Sequence, residues 1–343
     1  MIRLYDLSPE EIEALVTGWG QPSYRAQQIW TWLYQHLAAS FEEMSSLPKS
    51  LRQKLAQETI IGVPEVVETV ESTYGLTRKD LLRLVDGETI EAVLMHYNQR
   101  QTACISTQVG CSIGCPFCAT GQMGFHRDLT SGEIVAQAVH FERVLRQESS
   151  HLSNLVLMGM GEPLLNYEAS LEAIRRLNDH DGFDLGQRSI TLSTAGVVPG
   201  IERLAGEELQ ITLAVSLHAA TDRLRDQLVP LNRRYPLDAL LSACYHYAER
   251  TGRRVSFEWA LIEGVNDTPD QAHALAARLR GMLAHVNLIP LNPSSDYAKQ
   301  ASSSARVTTF TDILDQHHIA HSLRVHRGID IQAGCGQLRQ RQG

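Results

Sequence analysis

From Ala103 onward, short apolar runs of β type alternate with segments of helical period, and this alternation limits the possible folds more than any other feature. The runs are Ala103–Thr107, Leu155–Met158, Ser189–Ser193, Ile211–Leu217, Val255–Ile262 and Val286–Ile289. Between them the spacing predicts helices near Ser131–Arg146, Tyr167–Asn178, Leu237–Thr251, Pro269–Leu283 and Arg306–His317, with a seventh, shorter strand at Ser322–His326. Strands separated by crossover helices pair in parallel, so the class is α/β. Six such units fall short of the eight in a closed barrel. An open partial barrel and a flat doubly wound sheet both satisfy the pattern.

The upstream third reads differently. Ser8-Pro9-Glu10-Glu11 sets a serine N-cap, a proline at the first helical position and a glutamate at the third, which is a capping box. Ile29, Trp32 and Leu33 form a helical stripe within Tyr24–Leu37, and Leu51 and Leu55 share a face of a third helix, Ser50–Gln57, beside the basic Lys49, Arg52 and Lys54. Val66–Val70 and Leu81–Val85 read as strands, and Asp86-Gly87 turns the second into Thr89–Tyr97. Glu91 shares its strand face with Val93 and Met95, a setting where a carboxylate is destabilising unless paired or functional. Four stretches follow: helical 1–60, a β-hairpin extension 61–100, the α/β body 101–335 and a tail 336–343.

Composition supplies exclusions. The 343 residues are 43% hydrophobic and 20% charged, which excludes a disordered or collagen-like chain. With a formal net charge of −8, any surface for a polyanion is a local patch. No cationic-then-apolar leader opens the sequence, and no apolar run reaches the ~18–20 residues that span a bilayer. The expectation is a soluble, cytoplasmic protein without membrane contact.

The six cysteines are informative by position. Cys111, Cys115 and Cys118 form a C-x3-C-x2-C triplet just after the first strand of the body, a spacing of metal chemistry rather than disulfides. Three thiolates on one loop can hold three irons of a 4Fe–4S cube and leave the fourth open to a small molecule. A Cys3His zinc knuckle using His126 is the alternative. Polar residues recur where later strands end: Gly161-Glu162, Ser193-Thr194, Ser216-Leu217-His218 and Asn292. Such groups on one rim are what a binding pocket needs. Cys244, within a helix, reads as core.

The segments TACISTQVGCSIGCPFCATG, LMGMGEPLLN, ITLSTAGVVPGI, LAVSLHA and RGIDIQAGCGQL closely resemble the RlmN/Cfr family of radical S-adenosylmethionine RNA methyltransferases, in matching order, with YRAQQIWTWLYQ and FEEMSSLPKSLR extending the likeness into the N-terminal helices. Pro163 in MGMGEPL is more like the RlmN branch. The resemblance implies a partial (β/α)6 radical-SAM barrel behind an N-terminal RNA-docking domain. It implies one 4Fe–4S cluster on Cys111, Cys115 and Cys118, and two S-adenosylmethionine molecules per turnover, held by Gly161, Glu162, Ser193, Ser216, Leu217, His218 and Asn292.

The implied product is a methyl group on adenosine C2 of 23S rRNA and tRNA; the other branch methylates C8. Cys335 would carry the methyl group, since a thiolate is a competent nucleophile. A 5′-deoxyadenosyl radical would take hydrogen from that S-methyl, and the resulting carbon radical would add to the adenine. Glu91 would accept the C2 proton, and Cys104 would release the RNA through a transient disulfide with Cys335. Gly334 and Gly336 would let the Cys335 loop swing. An electron donor of flavodoxin or ferredoxin type and a monomeric state complete the expectation. RNA contacts would come from Arg188, Arg223, Arg225, Arg233, Arg234, Arg324 and Arg327. Two other classes remain at this point: an iron–sulfur redox carrier with Cys104 as fourth ligand, and a radical activase acting on protein.

Overall fold

The computed structural model describes residues 1–292, 297–324 and 328–338. Its N-terminal part is bracketed by a short parallel pair, β1 (Ile2–Arg3) and β2 (Thr59–Ile60). Between them lie α1 (Pro9–Gly18), α2 (Tyr24–Tyr34) and α3 (Lys49–Glu58). The capping box forms as read: Glu11 N–H donates to Ser8 Oγ at 3.2 Å, and Ser8 N–H donates to the Glu11 carboxylate at 2.7 Å. These helices dock on the body through apolar and polar contacts together. Ile29, Trp30 and Leu33 join the main core, Trp30 Nε1 donates to Asp179 at 2.7 Å, and Arg143 donates to the Leu37 and Ala38 carbonyls.

Among the described residues, ten strands form the main sheet. β3 (Glu65–Glu71), β4 (Thr77–Arg83) and β5 (Thr89–Tyr97) make an antiparallel meander, and β5 pairs antiparallel with β6 (Arg100–Cys104). The three strands read as an extension therefore continue the sheet of the body. β4 begins at Thr77, four residues before the apolar run read from sequence, because its polar half is satisfied by partners. Asp80, with no exposure, accepts from Thr69 and Arg78 and meets His140 Nε2 at 2.6 Å.

A small ribbon, β7 (Gln108–Gly110) and β8 (Phe125–Asp128), follows with α4 (Ala119–Met123) between its arms, and then α5 (Ser131–Gln147). Next come β9 (Asn154–Leu157), α6 (Tyr167–Asn178), β10 (Ile190–Thr194), α7 (Val198–Leu204), β11 (Thr212–Ser216), α8 (Asp222–Leu228), α9 (Leu237–Thr251), β12 (Val255–Leu261), α10 (Pro269–Leu279), β13 (Ala284–Pro290), α11 (Ser304–Gln316) and β14 (His321–Leu323). Part of the expected Ser322–His326 strand lies outside the described residues.

Strand order settles the choice that periodicity left open. β6, β9, β10, β11, β12, β13 and β14 lie side by side in chain order, all parallel. A doubly wound sheet must reverse its order at a switch point; this one does not. With right-handed crossovers, unreversed order places every helix on one face and leaves the other concave. Side-chain alternation agrees. Phe257, Trp259 and Leu261 are buried towards the helices, with Trp259 against Phe310 of α11 at 5.6 Å, while Glu258 and Ala260 face the concavity. The ends of five adjacent strands line one cavity, although four spacings of about 4.8 Å would carry a flat sheet ~19 Å across. The fold is an open, partial α/β barrel preceded by an N-terminal helical part. Among the described residues no helix is long and apolar enough to cross a membrane.

Candidate active site

The cysteine loop is shaped by the ribbon that carries it. Cys111 N–H donates to the Gly124 carbonyl at 2.8 Å and Cys118 N–H to the Cys115 carbonyl at 3.1 Å. Both bonds turn the loop back on itself, and all three thiols face a cavity of about 1000 Å³ inside the sheet. Among the described residues, no three or more His, Cys, Asp or Glu side chains gather closely enough to hold a single metal ion. The triplet rings the shared cavity instead. His126, the fourth ligand of a zinc alternative, is not part of that wall: it is exposed on β8, 3.6 Å from Glu88.

Opposite the cysteines, the β9 loop brings Gly161 and Glu162 to the cavity wall. Gly161 has φ +104°, and a Cβ there would stand 2.6 Å from Gln108 Cβ, so no other residue fits without displacement. Glu162 is buried; its two carboxyl oxygens accept from Leu164 N–H at 3.1 Å and Ala195 N–H at 2.6 Å. Burial outweighs these bonds and lifts its pKa to about 7.

Ser193 and Ser216 line the same wall, as does His218. His218 sits in the left-handed region at φ 57°, a strain tolerated where function fixes a side chain. Its Nδ1 accepts from Ala260 N–H at 2.9 Å, which leaves the ring proton on Nε2. Burial, with Arg225 nearby, pushes its pKa down to about 3, so the ring is a neutral donor. Asn292 completes the set and donates from Nδ2 to the Cys335 carbonyl at 3.0 Å. Leu217 is the exception: its side chain lies in the core, outside the wall.

A second cavity of about 630 Å³ adjoins the first, and Cys335 lines both. Cys104, at the end of β6, faces this second space with Met95, Tyr97 and Arg324. Burial, with the neighbouring Cys335, pushes the Cys104 thiol up to about 12. All six cysteines are free. The loop bearing Cys335 is contacted from three other segments. Thr73 donates to Asp330, Lys79 Nζ to the Gln332 carbonyl at 3.1 Å, and Ala119 N–H to the Gly336 carbonyl at 2.7 Å. Glu91 lines neither cavity; it is buried on β5 and ion-paired with Lys79 at 3.0 Å.

Two of the seven arginines named for RNA are turned inward. Arg225 is fully buried, and Arg324 donates from Nη1 to Cys335 Sγ at 3.5 Å. Arg188, Arg223, Arg233 and Arg234 are exposed, and Arg327 lies outside the described residues. Sequence reading missed Glu258, a buried carboxyl in the wall of the larger cavity, held by Ser256 and by Asn287 at 2.7 Å. The signal was present in Val-Ser-Phe-Glu-Trp-Ala-Leu, where Ser256, Glu258 and Ala260 alternate with large apolar residues.

Thiols on a loop at the C-terminal end of a parallel strand, aimed into an open barrel, define a radical S-adenosylmethionine enzyme, and residues 105–276 match the Radical SAM superfamily. Residues 2–61 match the ribosomal RNA large subunit methyltransferase N-terminal domain. The chain is 52% identical to Dual-specificity RNA methyltransferase RlmN 1 of Myxococcus xanthus, over 98% of this chain and 94% of that protein. It is 49% identical to a probable dual-specificity RNA methyltransferase RlmN of Chloroflexus aurantiacus, over 98% and 92%. The crystal structure of a radical SAM methyltransferase from Sphaerobacter thermophilus superposes with a TM-score of 0.97 at 50% identity, over 99% of both chains. The chain belongs to the RlmN family of radical S-adenosylmethionine RNA methyltransferases.

Membership implies S-adenosylmethionine and a 4Fe–4S cluster, and the donor set fits. Burial pushes the Cys111 thiol up to about 12 and raises Cys115 and Cys118 as well, so the ligand-free triplet is uncharged at neutral pH. A cationic iron group reverses that preference by binding thiolates.

Proposed function

We propose that this enzyme methylates C2 of adenosine in 23S rRNA and tRNA, with Cys335 as methyl carrier and Cys104 as the residue that frees the product. One observation carries the reading: Cys335 stands where two cavities meet, one walled by the three-thiol loop and the other by Cys104. The relatives named dual-specificity RNA methyltransferases support two RNA classes, and the match of residues 2–61 supports ribosomal RNA as one.

Cys111, Cys115 and Cys118 would hold the cluster, and Glu162, Ser193, Ser216, His218 and Asn292 would hold S-adenosylmethionine beside it. Bound there, the pair supplies a carbon radical able to take hydrogen from a methyl group. The protein's own part begins with Cys335, whose sulfur takes a methyl group from one sulfonium. The Arg324 guanidinium lies against that sulfur, with Nη1 3.5 Å from Sγ. Adenine C2 lies between two ring nitrogens and is electron-poor, so it accepts a carbon radical and resists a methyl cation. Cys335 then holds the base through a thioether bridge, and the adduct's unpaired electron would pass to the redox group held by Cys111, Cys115 and Cys118. Glu91 accepts the C2 proton; its support is its match to the family's proton acceptor and its link to the Cys335 loop through Lys79. The Cys104 thiolate attacks Cys335 sulfur, forming a disulfide and breaking the sulfur–carbon bond, whose electron pair passes to the product carbon; that carbon takes a proton from solvent and becomes the methyl group.

C2 selectivity, as against C8, is read by mass analysis of nucleosides from RNA treated with anaerobically reconstituted enzyme. Cys335→Ala should abolish RNA methylation while S-adenosylmethionine is still cleaved; methylated RNA from that variant would overturn the covalent route.

A further inference from the structure

Arg225 is among the largest side chains with no solvent exposure, and its surroundings are unusual for a cation. Its hydrogen bonds all go to uncharged oxygens. Nε donates to the Leu217 carbonyl at 3.1 Å, Nη1 to Asn232 Oδ1 at 3.1 Å, and Nη2 to the carbonyls of Ala195 at 2.6 Å and Ser216 at 3.1 Å. Asp222 and Asp226 stand one layer further out and are reached through Asn232, whose Nδ2 donates to both at 2.9 and 2.7 Å. No carboxylate pairs with the guanidinium directly among the described residues. Burial draws its pKa down only to about 10, so it stays charged at neutral pH. A buried cation without a counter-charge is strongly unfavourable, and natural proteins keep one where an anion is bound or function requires it.

The missing anion has an evident place. Ala195 and Ser216, whose carbonyls Arg225 grips, are themselves wall residues of the three-thiol cavity. Leu224 and Leu228, on the same helix α8, pack in one apolar cluster with Cys111, Cys115 and Phe117. Arg225 thus stands directly behind the wall that the cysteine loop faces.

We propose that Arg225 is a built-in counter-cation of the iron–sulfur cluster and raises the cluster's reduction potential. The proposal rests on the reading of Cys111, Cys115 and Cys118 as cluster ligands. Thiolates give a bound cluster negative charge, and the incoming electron adds to it. A fixed positive charge in a water-poor wall stabilises the reduced form more than the oxidised one, and salt screens it little. Without the cluster, Arg225 can only act as a staple across the ends of β10 and β11, so the two roles are separable.

The test uses full-length wild type, Arg225→Gln and Arg225→Lys, reconstituted anaerobically and matched for iron and sulfide content. An EPR-monitored redox titration without S-adenosylmethionine reads the midpoint potential, and urea unfolding of the iron-free proteins reads the staple. A neutral residue should make cluster reduction at least tenfold less favourable, a downward shift of about 59 mV for one electron, while lysine keeps the potential near wild type. Iron-free Arg225→Gln should still fold, unfolding at a lower urea concentration than iron-free wild type because the hydrogen bonds to the Leu217, Ala195 and Ser216 carbonyls are lost. A glutamine variant that folds but loads iron only when the cation is restored as lysine would also support the role. Unchanged potential in Arg225→Gln, an equal drop in both variants, or failure of iron-free Arg225→Gln to fold would overturn it. Absence of a 4Fe–4S signal from wild type would instead count against the cluster reading itself.

Discussion

Replacing Glu162 with glutamine should change stability by an amount that depends on pH, and the structure sets its size. Glu162 is 3% exposed, and burial lifts its carboxyl from 4.5 to about 7 in the ligand-free fold. Between those values the folded protein holds a proton that the unfolded chain has lost. Stability from this group is therefore present at low pH and is lost as pH rises through the window. At about 1.36 kcal/mol per unit, the loss between pH 5 and pH 8 is roughly 2–3 kcal/mol. Glutamine does not ionise, but its amide N–H2 meets an N–H where a carboxyl oxygen accepted from Leu164 or Ala195, a pH-independent penalty of about 1–3 kcal/mol. Comparing the two proteins at two pH values removes that penalty and every other titrating group. Urea unfolding of iron-free wild type and Glu162→Gln at pH 5 and pH 8, followed by tryptophan fluorescence, is the assay. The variant should gain roughly 2–3 kcal/mol on wild type between the two conditions. An equal offset at both would refute the idea that Glu162 is a buried carboxyl awaiting a cationic ligand.

Other outcomes follow from named contacts. Cys104→Ala should leave enzyme covalently attached to RNA, seen as a protein–RNA band that survives denaturation; release without such a band would contradict its assigned role. Because burial holds the Cys104 thiol near 12, release in wild type should accelerate up to about tenfold per pH unit from neutral into the alkaline range, measured in a single turnover. Gly161→Ala forces a Cβ against Gln108 at positive φ and should destabilise the fold by about 2–4 kcal/mol in urea unfolding. Lys79→Met removes half of a buried ion pair and should lose about 3–5 kcal/mol, with the double variant Lys79→Met/Glu91→Gln recovering part of it.

Much of the architecture was legible because each parallel strand sets large apolar residues against the helices, and six such runs stand out between helical segments. Hydrophobic period reports burial, not neighbours, so it was silent on strand order; that order alone separates the open barrel from a doubly wound sheet. The polar half of β4 was invisible for the complementary reason: Asp80 is satisfied by His140, sixty residues away in sequence. Within the site, the cysteine triplet and the rim residues stood out as short patterns, and the fold brings all but Leu217 and Glu91 to the cavities. Arg225 was named for RNA contact although it is fully buried, because charge in a sequence carries no depth; Arg324 lines the cavity beside Cys335. The contacts that Thr73, Lys79 and Ala119 make to the Cys335 loop come from distant segments and left no trace in the local sequence.

The claim that Cys335 carries the transferred carbon is tested most directly by following the label from S-adenosylmethionine whose methyl group bears three deuterium atoms. The account predicts a deuterated methyl group on the Cys335 peptide before RNA is added. Methyladenosine formed afterwards should retain two of the three deuterium atoms, the third appearing in 5′-deoxyadenosine. A product retaining all three, with an unmodified Cys335 peptide, would mean direct transfer to RNA and would contradict the account.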